Sequence, residues 1–243
     1  MKIRFILLDT THPGNVGAAA RAIKTMGFSE LALVNPKRFP SADATARAAG
    51  ADDVLADALC VDNLDEALHG CRFMLGASAR RRHLEMPLYD ARQAALQVCH
   101  QAPHVPVGIL FGTERAGLSN AALARCQALL HIPTNPAFGS LNLAAAVQIV
   151  AYELRAAMST PQSEAAQGGG HKLHTPTSAE RMQGFFEHLR ATLEPLKFYN
   201  HKQSRTMDLR LRRLFNRAQP SDEEINILRG MLSAIQRGTC DVE

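Results

Sequence analysis

The chain has 243 residues, of which 46% are hydrophobic, 21% charged and 5% aromatic, a composition that excludes fibrous, collagen-like and wholly disordered proteins. Its length fits one large α/β domain or a domain with a small appendage, and either can bury a substantial core. Twenty-seven basic residues against 23 acidic ones leave a net charge of +4, which permits an anionic partner without demanding one.

The start of the chain, Met1-Lys2-Ile3-Arg4, leads into an apolar run from Phe5 to Leu8 that Asp9 ends, too short for a signal peptide. No run approaches the roughly 20 apolar residues that span a bilayer, because the most apolar helix-like stretch, after Leu141, is interrupted by Asn142 and Gln148. No membrane association is expected, and a cytoplasmic location is. Cysteines at 60, 71, 99, 126 and 240 are odd in number and scattered, without the close pairing of zinc or redox sites. They read as buried thiols acting as small hydrophobes, and no metal is expected.

Short apolar runs alternate with helix-like segments from the first residues onward, the pattern of parallel βαβ units. Candidate strands are Ile3 to Leu8, Leu31 to Val34, Leu59 to Val61, Arg72 to Leu75, Val107 to Phe111 and Leu129 to Ile132, all read as buried central strands. Val16, Ala19, Ile23 and Met26 keep helical spacing up to Gly27, a natural C-terminal cap. Asn63 and Glu66 resemble a capping box. Leu143, Val147, Val150 and Leu154 share one helix face, with Ser140 as a candidate N-cap.

After Met158 the composition shifts to a stretch containing Gly168-Gly169-Gly170 and almost no large apolar residue. Residues 159–177 therefore read as a flexible linker between a domain at 1–158 and a helical module at 178–243. In that module Thr177 with Glu180, and Ser221 with Glu224, resemble capping boxes. From Arg190 to Arg217 it carries eight basic residues against Glu194 and Asp208, a larger excess than that of the whole chain. Met207, Leu211, Leu214 and Phe215 form an apolar stripe beside Arg210, Arg213 and Arg217, which suits a docked helix presenting arginines to phosphates. A solvated basic face is the alternative. Tyr199 and His201 are available to stack on bases.

Three segments have the makings of a site. The turn after the first strand, residues 10–21, is rich in small residues that admit close approach at a helix N-terminus. It is neither a GxGxxG fingerprint nor a GxxxxGK[ST] loop, and from spacing alone Arg21 in it reads as an ordinary exposed arginine. FGTERAGL at 111–118 sets two glycines and Glu114 at the carboxyl end of a strand, where ligands of open α/β sheets bind. Residues 132–143 form a strand exit, a loop and a helix start containing Ser140 and Asn142. Each polar residue has a structural alternative as a cap or backbone partner, and together they suggest one pocket.

In this order the three segments resemble the SPOUT methyltransferases of the TrmH branch, which methylate ribose 2′-hydroxyls of RNA using S-adenosyl-L-methionine. The residues that carry the resemblance are Asn15 with Ala19-Ala20-Arg21, FGTERAGL at 111–118, and SLNLAAA from Ser140. Finer features, namely LLDTTHPGNVGAAARAIKTMGF, LVNP at 33–36, GASARRR at 76–82 and the C-terminal LRRLF and NILRG, resemble members that modify nucleotide 32 of the tRNA anticodon loop. The resemblance implies a parallel sheet whose C-terminal portion is tied in a trefoil knot, which neither composition nor periodicity indicates. It implies a cofactor pocket made by Ala77, Ser78, Ala79, Gly112, Ile132, Gly139, Ser140 and Leu141. It further implies a homodimer with shared active sites, and tRNA contacts from Arg80, Arg81, Arg82, Arg210, Arg213 and Arg217. Arg21 takes the role of activating the ribose hydroxyl, with Asn15, Glu114, Ser140 and Asn142 as further catalytic candidates. An arginine, with a reference pKa of roughly 12.5–13.8, suits an alkoxide-stabilising cation better than a base. Glu114 has the alternative of holding its loop. Rival readings are a dinucleotide-dependent oxidoreductase, a methyltransferase for another tRNA or rRNA position, and a non-catalytic RNA-binding relative.

Overall fold

The computed structural model describes residues 2–79, 86–101, 105–159, 175–198 and 204–240. Seven parallel strands form one sheet: β1 (Ile3–Leu8), β2 (Leu31–Val34), β3 (Leu59–Val61), β4 (Phe73–Ala77), β5 (Leu88–Asp90), β6 (Val107–Phe111) and β7 (Ala128–His131), in the order β3-β2-β1-β6-β4-β7-β5. β1, β2, β6 and the first four residues of β4 are fully buried, apart from the half-buried Arg4, as apolar runs covered on both faces should be.

One expectation about strands fails at one sheet edge, and the other edge holds a strand that the sequence does not signal. Leu59–Val61 is the outer strand β3, with Leu59 and Cys60 exposed, because nothing pairs with its far side. β5 was not anticipated at all, since Leu88-Tyr89-Asp90 is short and ends polar; β7 recruits it as the other edge.

One sheet face is covered by α1 (Pro13–Thr25), α2 (Ala42–Ala48), α3 (Asp52–Ala56), α5 (Ala91–Gln101) and α7 (Leu143–Ser159). α1 starts at His12, whose Nδ1 accepts the Gly14 N–H at 3.1 Å, and it buries Val16, Ala19, Ala20 and Ile23. It ends as expected ahead of Gly27, which has φ +81°. α7 packs on both α1 and α5. The opposite face is covered by α4 (Leu64–Ala67), α6 (Asn120–Leu123) and Ala179 at the start of α8 (Ala179–Leu193).

α8, α9 (Ser204–Ala218) and α10 (Asp222–Cys240) form the C-terminal module around Met182, Phe185, Phe186, Ile225 and Leu232. Phe215 of α9 meets Phe185 edge-on with ring centres 4.8 Å apart. Polar contacts seat the module on the sheet domain: Ala179 N–H donates to the Cys71 carbonyl at 3.0 Å, and Asn216 Nδ2 to the Ala124 carbonyl at 2.5 Å. Arg72 donates to the Pro176 carbonyl at 2.8 Å.

Several local expectations are corrected. α7 is capped by Asn142, whose Oδ1 accepts the Ala144 N–H at 2.9 Å, and not by Ser140. α8 is capped by Ser178, because Thr177 is engaged with Asp222 at 2.5 Å. Ser221 and Glu224 do form a reciprocal box, at 2.7 and 3.2 Å. Leu214 is exposed and falls outside the packed stripe. Cys60 is exposed while Cys71, Cys99 and Cys126 are buried. Most of the stretch read as a linker, residues 160–174, and the stacking candidates Tyr199 and His201 lie outside the described residues.

Candidate active site

Adjacency of β1 and β6 in the sheet brings the loops after these strands together at one carboxyl edge. Glu114, just beyond β6, reaches the loop after β1. Its carboxylate accepts the backbone N–H of Thr11 at 3.2 Å, the Thr11 hydroxyl at 3.0 Å and the backbone N–H of His12 at 3.2 Å. Asn15 Nδ2, on the first turn of α1, donates to Oε1 at 3.0 Å. That bond leaves Asn15 Oδ1 facing Asn142, whose Nδ2 donates to it at 2.9 Å.

The three sequence segments are thus wired into one relay: carboxylate, amide, amide, helix N-terminus. Glu114 binds the first segment and not its own loop alone. Partial burial pushes its carboxyl up, but the bonds from Asn15, its own backbone, Thr11 and His12 outweigh this and hold it below the usual glutamate range. Charge-assisted bonds of this kind are the stronger class, so Glu114 is a fixed anion with its oxygens engaged.

The loop after Gly112 folds tightly back. Gly117 N–H donates to the Thr113 carbonyl at 2.9 Å, and a Cβ on Gly112 would lie 2.1 Å from the Gly117 carbonyl carbon. Only glycine fits there. Behind this loop opens a cavity of about 360 Å³, within the ~300–1,000 Å³ of small-molecule sites.

Ala77, Ser78, Ala79, Gly112, Ile132, Gly139, Ser140 and Leu141 all line the cavity, as does Glu114. Its walls come from the ends of β4, β6 and β7 and the loop before α7, and not from the turn after β1. The geometry disfavours a dinucleotide fold, whose pyrophosphate would sit at that first turn. Sequence reasoning passed over Thr134, Arg115 and Leu118, which also line it; only their place inside the two motifs signalled them. Arg21 is exposed on α1 and outside this lining.

On α9, Arg210 and Arg217 are exposed and Arg213 half-buried. Arg212 is employed in packing: its guanidinium lies 4.5 Å from the centre of the Phe186 ring and donates to Gln183 at 3.0 Å. Arg80, Arg81 and Arg82 lie outside the described residues. Among the described residues no group of acidic, histidine and cysteine side chains is placed to hold a metal, and no helix is long and apolar enough to cross a membrane.

Comparison with known proteins fits this geometry. Residues 2–152 match the model of the SpoU rRNA Methylase family, and residues 180–242 that of the tRNA methyltransferase TrmJ, C-terminal domain. The tRNA (cytidine/uridine-2′-O-)-methyltransferase TrmJ of Klebsiella pneumoniae is 44% identical over 97% of this chain and 96% of its own. The tRNA (cytidine/uridine/adenosine-2′-O-)-methyltransferase TrmJ of Pseudomonas aeruginosa is 46% identical over 97% and 94%. Among solved structures, TrmJ from Z. mobilis ZM4 superposes with a TM-score of 0.86 at 32% identity, covering 97% of this chain and 100% of its own. An AdoMet-bound rRNA methyltransferase from Sinorhizobium meliloti superposes with a TM-score of 0.53 at 25% identity, covering 65% of this chain and 57% of its own.

Proposed function

Because the chain belongs to the SpoU methylase family, on its TrmJ branch, we propose that it methylates the ribose 2′-hydroxyl of nucleotide 32 in the tRNA anticodon loop, on cytidine, uridine or both, using S-adenosyl-L-methionine. The observation that carries this reading is the relay Glu114–Asn15–Asn142 beside a cavity lined by the eight residues the family resemblance assigns to the cofactor.

The cavity suits the cofactor. Small side chains at Ala77, Ser78, Ala79 and Gly139 keep its wall close to the main chain, Gly112 admits no side chain, and Leu118, Leu130 and Ile132 offer apolar wall for a purine. When bound, the cofactor supplies a sulfonium methyl for in-line transfer, which needs no metal. Glu114, with its oxygens engaged by the Thr11, His12 and Asn15 donors, positions the first loop and does not take up the ribose proton. Asn142 sets the start of α7, and Ser140 at the cavity edge orients substrate. Positioning of this kind supplies much of the rate.

Arg21 stabilises the developing alkoxide and grips a neighbouring phosphate. Its exposed place outside its own cavity supports a homodimer in which it serves the partner's site. In this reading residues 1–158 form the methyltransferase domain, 159–177 connect, and 178–243 contact tRNA through Arg210, Arg213 and Arg217, with Arg80, Arg81 and Arg82 adding contacts. Insertion of β7 between β4 and β5 supports the trefoil knot that the reading includes. The reading also places the enzyme in the cytoplasm, where tRNA is found.

The test is transfer of labelled methyl from S-adenosyl-L-methionine to unmodified tRNA transcripts, with nuclease mapping of the product. Wild-type protein labels nucleotide 32 and Arg21→Ala does not. Label elsewhere moves the target position, and absence of label refutes the activity. Mixing Arg21→Ala with Gly112→Ala subunits restores part of the activity if sites are shared; proven heterodimers without rescue refute the sharing.

A further inference from the structure

The loop between β7 and α7 holds an aromatic ring that the fold does not use. Phe138 is 81% exposed, and its neighbours Thr134, Gly139, Ser140 and Leu141 line the cavity. Among the described residues, the other exposed phenylalanine and tyrosine side chains, Tyr152 and Phe198, lie on α7 and beyond the end of α8. Of these, Phe138 is the one carried on a loop with other residues lining the cavity, its own ring standing outside the lining.

The backbone that carries it is fixed. Asn135 Oδ1 accepts the Ala137 N–H at 2.9 Å, and the Phe138 N–H donates to the Asn135 carbonyl at 3.0 Å. The Thr134 hydroxyl closes the turn on the Gly139 carbonyl at 3.2 Å, and Pro136 restricts it further. The ring is therefore presented outward on a defined turn at low ordering cost on binding. An isolated exposed apolar residue is ordinary; a ring held at the rim of a cavity on a three-bond turn is a built feature.

We infer that Phe138 is a base-stacking residue that holds the nucleobase of the methylated nucleotide against the rim of the cavity. The inference rests on the reading of the site as an RNA ribose methyltransferase. In a ribonucleotide the base is attached to the carbon next to the one bearing the 2′-hydroxyl, so a hydroxyl brought to the cavity brings its base to the rim. Single-stranded RNA loops are recognised by splaying bases onto aromatic rings, and every base offers a π-face, which makes such stacking tolerant of sequence. A flat platform at this point fixes the nucleotide without choosing its base, whereas a hydrogen-bonding group would choose.

The experiment compares wild-type, Phe138→Ala and Phe138→Trp full-length protein on unmodified tRNA transcripts and on a transcript whose target nucleotide lacks its base but keeps its ribose. Loss of a base–aromatic stack raises KM for tRNA about 5- to 150-fold, with kcat and cofactor affinity close to wild type, as for an interaction made equally in the bound and transition states. Phe138→Trp restores KM, and the penalty of Phe138→Ala collapses towards onefold on the baseless transcript. Unchanged KM in Phe138→Ala, or an undiminished penalty on the baseless transcript, overturns the inference. So does a change of oligomeric state in ultracentrifugation, which makes the ring an intersubunit contact, or a matching loss of cofactor affinity, which makes it a support of the loop. If wild-type protein transfers no methyl to any tRNA, the functional reading itself fails, an outcome distinct from these.

Discussion

Gly112→Ala tests the claim that the cavity wall is shaped by backbone contact. The added Cβ would lie 2.1 Å from the Gly117 carbonyl carbon, 2.2 Å from the Leu118 nitrogen and 2.4 Å from the Gly117 oxygen. Ordinary contact begins near 3.4 Å, so the 117–118 backbone must retreat by about 1.3 Å. Retreat breaks the 2.9 Å bond from Gly117 N–H to the Thr113 carbonyl, a net loss of about 0.5–1.5 kcal/mol. Residual crowding adds about 1–3 kcal/mol. The sum of about 1.5–4.5 kcal/mol lowers Tm by roughly 3–18 °C in a protein of this size. Displacement of about 1 Å in a wall that positions reactants costs on the order of 100-fold in transfer rate.

Gly117→Ala is the internal control. Its φ of +69° strains an alanine, yet a Cβ there meets no atom within 4 Å, so the cost is about 1–2 kcal/mol with the wall in place. Differential scanning calorimetry, titration of S-adenosyl-L-methionine and methyl-transfer rates read all three quantities. A Gly112→Ala protein that melts within about 2 °C of wild type and binds the cofactor normally refutes the reasoning.

The remaining predictions concern charge and accessibility. Glu114 has its folded pKa lowered, so its contribution is fully present above the ordinary glutamate range and is lost as pH falls through the lowered value. The urea stability of wild type should therefore exceed that of Glu114→Gln at neutral pH, with the gap closing in acid; a constant gap refutes the assignment. Replacing Arg210, Arg213 or Arg217 by Ala should weaken tRNA binding and flatten the dependence of log affinity on log salt by about 0.7–0.9 per arginine, measured by filter binding at several salt concentrations. Burial pushes the thiols of Cys71 to about 11 and Cys126 to about 12, so iodoacetamide at pH 8 should modify exposed Cys60 well before either, as read by peptide mass spectrometry.

The central strands were legible because buried parallel strands must be short and apolar, and nothing else in the first 131 residues combines those properties so often. Edge strands were not, because their partners on one side are absent: Leu59 to Val61 carries the same apolar letters as a central strand, while Leu88 to Asp90 carries only two before its aspartate. Caps were legible to within a residue or two, since Ser140 and Asn142, or Thr177 and Ser178, are chemically equivalent candidates and only tertiary demands choose. Thr177 loses its place because Asp222 claims its hydroxyl. The three segments of the site could be read along the chain, but their wiring could not. Glu114 meets Asn15 across 99 residues and Asn15 meets Asn142 across 127, and both pairings follow from β6 lying beside β1 and α7 packing on α1.

That wiring redistributes the chemistry among the five residues that the sequence offered as catalytic. The carboxylate of Glu114 is occupied by donors from Thr11, His12 and Asn15, and Asn15 and Asn142 each use both ends of their amides. The two amides are not bases, and Glu114 has no oxygen left to accept a proton from substrate without breaking a bond that shapes the site. Among the described residues, Arg21 and Ser140 are the two whose side chains make no such bond. A hydroxyl orients, and a guanidinium stabilises negative charge; neither is a base at neutral pH. The arrangement therefore favours catalysis by alignment and electrostatic stabilisation over general-base catalysis. On that argument the rate should rise with pH as substrate deprotonation becomes easier, with no inflection attributable to Glu114. A methyl-transfer profile showing a glutamate-like inflection that vanishes in Glu114→Gln would restore the carboxylate as the base.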